Sequence, residues 1–293
     1  MSRILSQLKK IKDDPIYYAN SLTVAQLVTL LKTLSIAYYN SSKQLLTDEV
    51  FDLLKDVLKK RAPKHPYLKT IGAPISKAKV ALPFWMGSLD KIKADTQALK
   101  AWTAKYSGPY ILSDKLDGIS CMLVKDKGIS LYTRGNGKKG QNITHLLPYV
   151  IPSKVRLGKL EEGVAIRGEL IVSKEDFKLF AKEMANARNM VAGLANSKTF
   201  SIPIAKVTHF VTYAIVHPSY SQEEQMSLLK KWKFEVVDNR LETKLTNEEL
   251  SSYLVERRKK GKYDIDGIVT LDSSKAYPLV TDKNPKYGFA FKA

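Results

Sequence analysis

Residues 110–134 read YILSDKLDGISCMLVKDKGISLYTR, and this stretch decides the fold. Its β-branched and aromatic residues fall into short runs of strand length, and Lys125-Asp126-Lys127-Gly128 supplies a hairpin turn between two of them. The same texture returns downstream in GVAIRGELIV (163–172), VTHFVTYAIV (207–216), YDIDGIVTLD (263–272) and YGFAFKA (287–293). Helical patterns intervene at 95–106, 174–186, 222–232 and 246–260. Strands mixed with helices, without regular βαβ alternation, predict an α+β domain whose largely antiparallel sheets are flanked by helices.

Upstream of this domain the chain reads as helical. LTVAQLVTLLKTLSIAYYN (22–40) carries apolar positions at helical spacing, with Thr23 as N-cap. Thr47 opens a second helix, TDEVFDLLKDVLKKR (47–61), acidic in its first turn and basic in its last. Ala62-Pro63 ends it, and KHPYLKTIGAPISKAK (64–79) is a Pro- and Gly-punctuated linker. The expected organisation is a small module of two or three helices over residues 1–70, followed by the α+β domain over 71–293.

The 293 residues carry 48 Lys plus Arg against 29 Asp plus Glu, a formal charge of +19. Lysines, 39 of the 48, suit phosphate contacts better than the bidentate reading of bases. Such a surface fits a nucleic-acid backbone, and it equally fits a Lys-rich surface that serves solubility alone. The single cysteine, Cys121, excludes an internal disulfide framework and any multi-cysteine zinc finger, and reads as a small core residue. No apolar run approaches 18 residues and the N-terminus has no signal-peptide core, so an intracellular protein without a membrane segment is expected.

Most nucleophile and metal signatures are missing: there is no GxSxG, HExxH or GxxxxGK[ST]. His65, His145, His209 and His217 lie in no ligand spacing, so no protein-built metal site is predicted. Ser113-Asp114-Lys115-Leu116-Asp117-Gly118-Ile119 stands apart. A lysine at a strand end, with an acid two residues on, suits a covalent nucleophile once its ammonium can shed a proton. By itself the string also describes a surface lysine beside a turn. Its company is more telling: TRGNG (133–137) follows a strand, Arg167-Gly168-Glu169 lies on another, Asp266-Gly267-Ile268-Val269 on a third, and Lys286 and Lys292 flank the last. Acids at strand ends with several distant cations make a site for a polyphosphate.

These segments resemble, in order, the motifs of the NAD-dependent DNA ligases, the nicotinamide-using branch of the covalent nucleotidyltransferases. KLDGI resembles motif I, AIRGELIV motif III, DGIV motif IV and PKYGFAFK motif V. TRGNGKKGQNIT is similar to TRGDGxxGEDVT, ANARNMVAG to ANPRNAAAG, and WMGSLDK, with Ser88 and Leu89, to MLSLDN. Tyr38, Tyr39, Asp48, Phe51 and Asp52 align without gaps to the family's YHxxxxxxxxDxxYD module, a clamp for nicotinamide mononucleotide (NMN). On residues alone, that helix pair is also an ordinary amphipathic one, since Phe51 and Leu54 would face a core.

The resemblance implies an ATP-grasp-like nucleotidyltransferase domain behind an NMN-binding helical module. It implies that Lys115 attacks the α-phosphate of NAD, releases NMN and forms lysyl-AMP for transfer to a 5′-phosphate at a nick in double-stranded DNA. Asp117 and Gly118 shape the pocket, Arg134 holds phosphate, Glu169 takes the ribose and Tyr213 stacks on adenine. Asp266 and Lys292 sit against the phosphates, with Lys292 easing deprotonation of Lys115. Arg167 and Arg188 belong to the same nucleotide site, Mg²⁺ is the implied counter-charge, and the protein acts as a monomer. Departures are Ser113 for a glutamate that contacts adenine, Asn136 for Asp, Asn196 for a basic residue, Leu271 for the motif IV lysine, and Tyr39 and Phe51 in the clamp. Lys275 or Lys286 is the expected stand-in for the motif IV cation. The family continues beyond motif V, so these 293 residues are expected to self-adenylate but to seal nicks poorly. An ATP-dependent polynucleotide or RNA ligase, and a decayed nucleic-acid-binding scaffold, are the competing readings.

Overall fold

Thr23 and Thr47 cap the helices assigned to them. The Thr23 hydroxyl accepts from the Gln26 N–H (3.2 Å) while the Gln26 side chain accepts from the Thr23 N–H (2.9 Å), and Thr47 accepts from the Val50 N–H (3.4 Å). The computed structural model describes residues 2–40, 45–69, 79–94, 97–196 and 200–293, and the chain divides into two units, Met1–Ala78 and Lys79–Ala293.

Four helices build the described part of the first unit: α1 (Ser2–Asp13), α2 (Pro15–Ser21), α3 (Val24–Asn40) and α4 (Asp48–Arg61). That is more than the two or three expected. Pro15 has no N–H to continue α1, and Asp14 caps the new helix by accepting from the Tyr17 N–H at 3.0 Å. Ile11, Leu27, Leu31, Leu54 and Leu58 form a fully buried core, and Arg61 donates to the carbonyls of Ala19 (3.0 Å) and Leu22 (2.7 Å).

The second unit runs β1 (Val80–Ala81), β2 (Asp90–Lys93), α5 (Ala98–Thr103), β3 (Tyr110–Leu116), β4 (Ile119–Asp126), β5 (Gly128–Thr133), β6 (Lys139–Gly140), α6 (Leu147–Val150), β7 (Ala165–Val172) and α7 (Lys174–Phe177). It continues with α8 (Ala187–Asn196), α9 (Ile202–Val207), β8 (Thr208–His217), α10 (Gln222–Lys231), β9 (Glu235–Val236), β10 (Asn239–Glu242), α11 (Asn247–Lys260), β11 (Ile265–Asp272) and β12 (Gly288–Lys292). One sheet has the order β10-β3-β11-β12-β2, the other β5-β4-β7-β8-β9. Pairing within them is antiparallel except at β12–β2 and β8–β9. The α+β reading with mostly antiparallel sheets and flanking helices therefore holds, and every strand read from the sequence is present.

The differences have local causes. The pattern over 174–186 yields only the short α7 followed by turns: Phe177, Phe180 and Met184 pack against the core while Leu179 is 75% exposed, so the apolar face forms without a continuous helix. Helix α8 is not among the helical patterns read from the sequence, although Ala187, Met190, Val191, Leu194 and Ala195 recur at helical spacing; Asn189 and Ala192 are buried as well, so its polar side is narrow. The pairs and quartets of residues in β1, β2, β6, β9 and β10 are too short to show an alternation.

Candidate active site

Strand β3 runs between β10 and β11, and its side chains alternate between two faces. Ile111, Ser113 and Lys115 share one face. In register with them lie Leu271, Val269 and Gly267 of β11, which therefore point the same way. A Cβ on Gly267 would meet the Lys115 and Lys292 side chains at 3.6 and 3.5 Å, so this face is where the two lysines converge.

Between them stands Asp266. Lys115 Nζ donates to both of its oxygens (2.8 and 3.1 Å) and Lys292 Nζ to one (2.9 Å). Burial would push the Asp266 carboxyl up, but the two ammonium groups outweigh it and hold the pKa at about 2. The carboxylate is 9% exposed, whereas Lys115 is 30% and Lys292 19% exposed, so the cations reach the cleft and the anion braces them from below.

The opposite wall comes from the second sheet. Gly118, just before β4, donates its N–H to Glu169 (3.3 Å) on β7, and a Cβ at Gly118 would fall 2.2 Å from the Leu170 carbonyl. Only glycine fits this approach. Glu169 is 8% exposed. Burial lifts its pKa to about 7 against the pull of Arg188, Lys115 and Arg167. Asp117, two residues after Lys115, binds Arg188 of α8 at 3.1 Å, and its N–H donates to the Asp264 carbonyl.

Arg167 links the pocket's parts. It donates to the Gly87 carbonyl (2.9 Å) and to Ser120 Oγ (3.0 Å), and its guanidinium lies 5.9 Å from the Tyr213 ring centre. Its Nε is buried without a protein partner. Tyr213 and Ser120 share a hydrogen bond (2.9 Å), and burial raises the phenol's pKa. Arg134 spends its Nε on the Met86 carbonyl (3.1 Å), at a turn where Gly135 and Gly137 take positive φ. Asn136 accepts from the Lys138 and Lys139 N–H groups (3.0 and 2.8 Å), the turn-closing role that an aspartate would serve equally well.

Lys115, Asp117, Gly118, Arg167, Arg188, Glu169, Tyr213, Asp266 and Lys292 thus gather around one cleft. Ser88 is exposed, its N–H bonded to Asn284, and Leu89 is half-buried beside it. In the helical unit Phe51 packs on the core and Asp52 is half-buried, while the side chains of Tyr38, Tyr39 and Asp48 lie outside the described residues. Neither expected stand-in for the motif IV lysine stands with Asp266: Lys286 pairs with Asp90 (2.8 Å) and Lys275 lies over the Tyr277 ring. Asp114 cannot replace the glutamate missing at 113, because it faces away and is held by Arg257. Asn196 turns its amide back to the Ala192 carbonyl (2.9 Å).

Sequence reading missed Ser120, which bridges Arg167 and Tyr213. Its only signal is a polar residue in register with Glu169 within an apolar strand. No trio of His, Cys, Asp or Glu suited to a metal occurs among the described residues.

A cleft with exposed cations on one wall, and a guanidinium and an aromatic ring on the other, suits a nucleotide whose phosphates meet Lys115. Residues 78–293 match the family model for the NAD-dependent DNA ligase adenylation domain, and the chain belongs to that family. A DNA ligase of Acanthamoeba polyphaga mimivirus is 42% identical over 97% of this chain and 45% of its own length. A putative DNA ligase of Invertebrate iridescent virus 6 is 33% identical over 87% of this chain and 41% of its own. A DNA ligase of Helicobacter acinonychis is 28% identical over 90% of this chain and 45% of its own. The chain spans less than half the length of these curated relatives.

Proposed function

We propose that this chain carries out the adenylation step of an NAD-dependent DNA ligase, with Lys115 as the nucleophile. The observation that carries the reading is the Lys115–Asp266–Lys292 cluster, set opposite Glu169 and Arg167 within a domain of that family. Lys115 loses a proton and its lone pair attacks the α-phosphorus of NAD. A P–N bond forms, the bridging P–O bond breaks, and NMN departs with the electron pair. Asp266, kept ionised, orients the lysine, and Lys292 faces the charge that develops on the phosphate oxygens. Tyr213 offers its ring to the base, and Glu169, poised near neutrality, can exchange hydrogen bonds with ribose hydroxyls.

Mg²⁺ fits this site as an ion held mainly by the substrate's phosphates with one or two carboxylates, its usual mode. Asp266 and Asp117, each already engaged by a cation, are the carboxylates that would share in holding it. When bound, the ion neutralises phosphate charge.

The helical unit is the NMN-binding module in this reading, and residues 71–293 are the nucleotidyltransferase. The nucleic-acid partner is nicked double-stranded DNA, met inside the cell by a monomer and gripped through the +19 charge. The test is incubation of the chain with Mg²⁺ and NAD, or separately ATP, followed by intact-mass and peptide mass spectrometry. An AMP adduct on Lys115 from NAD, with NMN released and no adduct on Lys115→Ala, is expected. Labelling from ATP alone, or none at all, refutes the reading.

A further inference from the structure

The cleft face of β3 carries one more polar pair. Ser113 is only 3% exposed, and its hydroxyl has no protein partner among the described residues. It lies two residues before Lys115 on the same face, and Asn239 of β10 sits directly across from it in register. Directly opposed residues on antiparallel strands project to the same side, with Cβ atoms about 5 Å apart. Asn239 therefore stands beside Ser113 at the cleft.

Its amide is oriented. Nδ2 donates to the Val237 carbonyl at 2.9 Å, and the Val237 N–H in turn donates to the Thr212 carbonyl, next to Tyr213, at 2.9 Å. With the donor end committed, Oδ1 is left as a pure acceptor, and it has no protein partner among the described residues. A hydroxyl beside it can turn to donate or to accept. The pair thus offers one fixed acceptor and one adaptable group.

We propose that Asn239 is the residue by which this site tells a 6-aminopurine from a 6-oxopurine, an assignment that rests on the adenylation reading above. A 6-amino group donates to Oδ1, while a 6-oxo group presents a second acceptor to it and is repelled. Ser113 meets the neighbouring ring nitrogen in either protonation state and does not discriminate.

The experiment compares adduct formation on Lys115 from NAD and from nicotinamide hypoxanthine dinucleotide, read by intact mass on the full chain. The wild-type chain is expected to favour NAD by tenfold or more. Asn239→Ala lowers that preference about tenfold, the scale of one lost hydrogen bond. Asn239→Asp breaks the Val237 bond but keeps an acceptor, so the preference is retained or raised even where both rates fall. Ser113→Ala shifts both rates alike. An Asn239→Ala ratio equal to wild type, or an Asp variant that loses discrimination as Ala does, overturns the assignment. A wild-type chain that gains no adduct from either dinucleotide overturns the adenylation reading itself, and the assignment falls with it.

Discussion

Lys115 and Asp114 are neighbours on β3, and each belongs to a cluster of three charges, yet the two clusters are built for different ends. Around Lys115 one carboxylate is shared by two ammonium groups that reach the cleft. Around Asp114 one guanidinium is shared by two carboxylates. Arg257 grips Asp114 with two bonds of 2.8 Å and reaches Asp238 at 3.1 Å. Asp114 is 5% exposed and Arg257 16%, and beside them burial, then Asp114 and Asp238, push the Tyr253 phenol up to about 12. The first cluster sets two partly exposed cations where an anionic ligand can meet them. The second buries Arg257 against Asp114, leaves Asp238 at the surface, and holds α11 to the sheet. The pleat of a strand sends adjacent residues to opposite faces, so a one-residue step separates chemistry from architecture.

The comparison breaks most sharply at Arg257. Arg257→Ala leaves Asp114 buried without its partner, at an expected cost of about 3–5 kcal/mol, seen as a lower denaturation midpoint with the NAD adduct still forming at temperatures where the chain is folded. A variant as stable as wild type that cannot form the adduct would move Arg257 into the chemistry.

Glu169 tests the other side of the contrast, a buried acid facing the cleft. In the folded chain it holds its proton up to about pH 7, against 4.5 for an ordinary glutamate. Between those values folding takes up a proton, so stability declines as pH rises from about 4.5 to 7. Glu169→Gln should remove that decline and gain at most about 3 kcal/mol at pH 8 over wild type. Urea titrations of the two proteins at pH 5 and pH 8 check this, and parallel pH curves would contradict it.

Lys292→Ala removes one of the two cations on Asp266 and a charged hydrogen bond, worth roughly 1.5–3 kcal/mol. The adenylation rate should fall about 10- to 150-fold with little loss of stability, in contrast to Arg257→Ala. A stopped time course of adduct formation decides it, and an unchanged rate would put Lys292 outside the site. The smallest effect is expected at Asn136→Asp. The new carboxylate accepts the same two N–H groups, so stability and rate should stay within about 0.5 kcal/mol of wild type. A larger change would mean that the turn's charge, rather than its closure, matters.

How far the sequence could be read depended on how local each signal was. The strands carrying Lys115, Arg167, Glu169, Tyr213 and Asp266 were legible because alternation and turn residues sit within a few positions of each other. The capping threonines were legible for the same reason. Helix α8 was not read although its apolar positions keep helical spacing, because the run is short and the buried Asn189 and Ala192 narrow its polar side. Ser120 gave only a faint signal and Asn239 none, since their neighbours at the cleft lie far along the chain: Arg167 is 47 positions from Ser120, and Ser113 is further still from Asn239. The suggestion that Lys275 or Lys286 replaces the cation missing at Leu271 failed similarly, because nothing in the sequence shows that Asp90 and Tyr277 hold those lysines elsewhere.

By itself the sequence determined the class of fold, the order of the motifs and the residue types of the site, because periodicity, caps and short motifs are written in contiguous residues. Only the tertiary structure decided which charges meet. Asp266 reaches Lys115 across 151 positions, and Arg257 takes Asp114 across 143, and it is strand pairing and the pleat that bring one pair to the cleft and bury the other. A formal charge of +19 says nothing of that division, since the energy of an ion pair depends on distance and burial rather than on count.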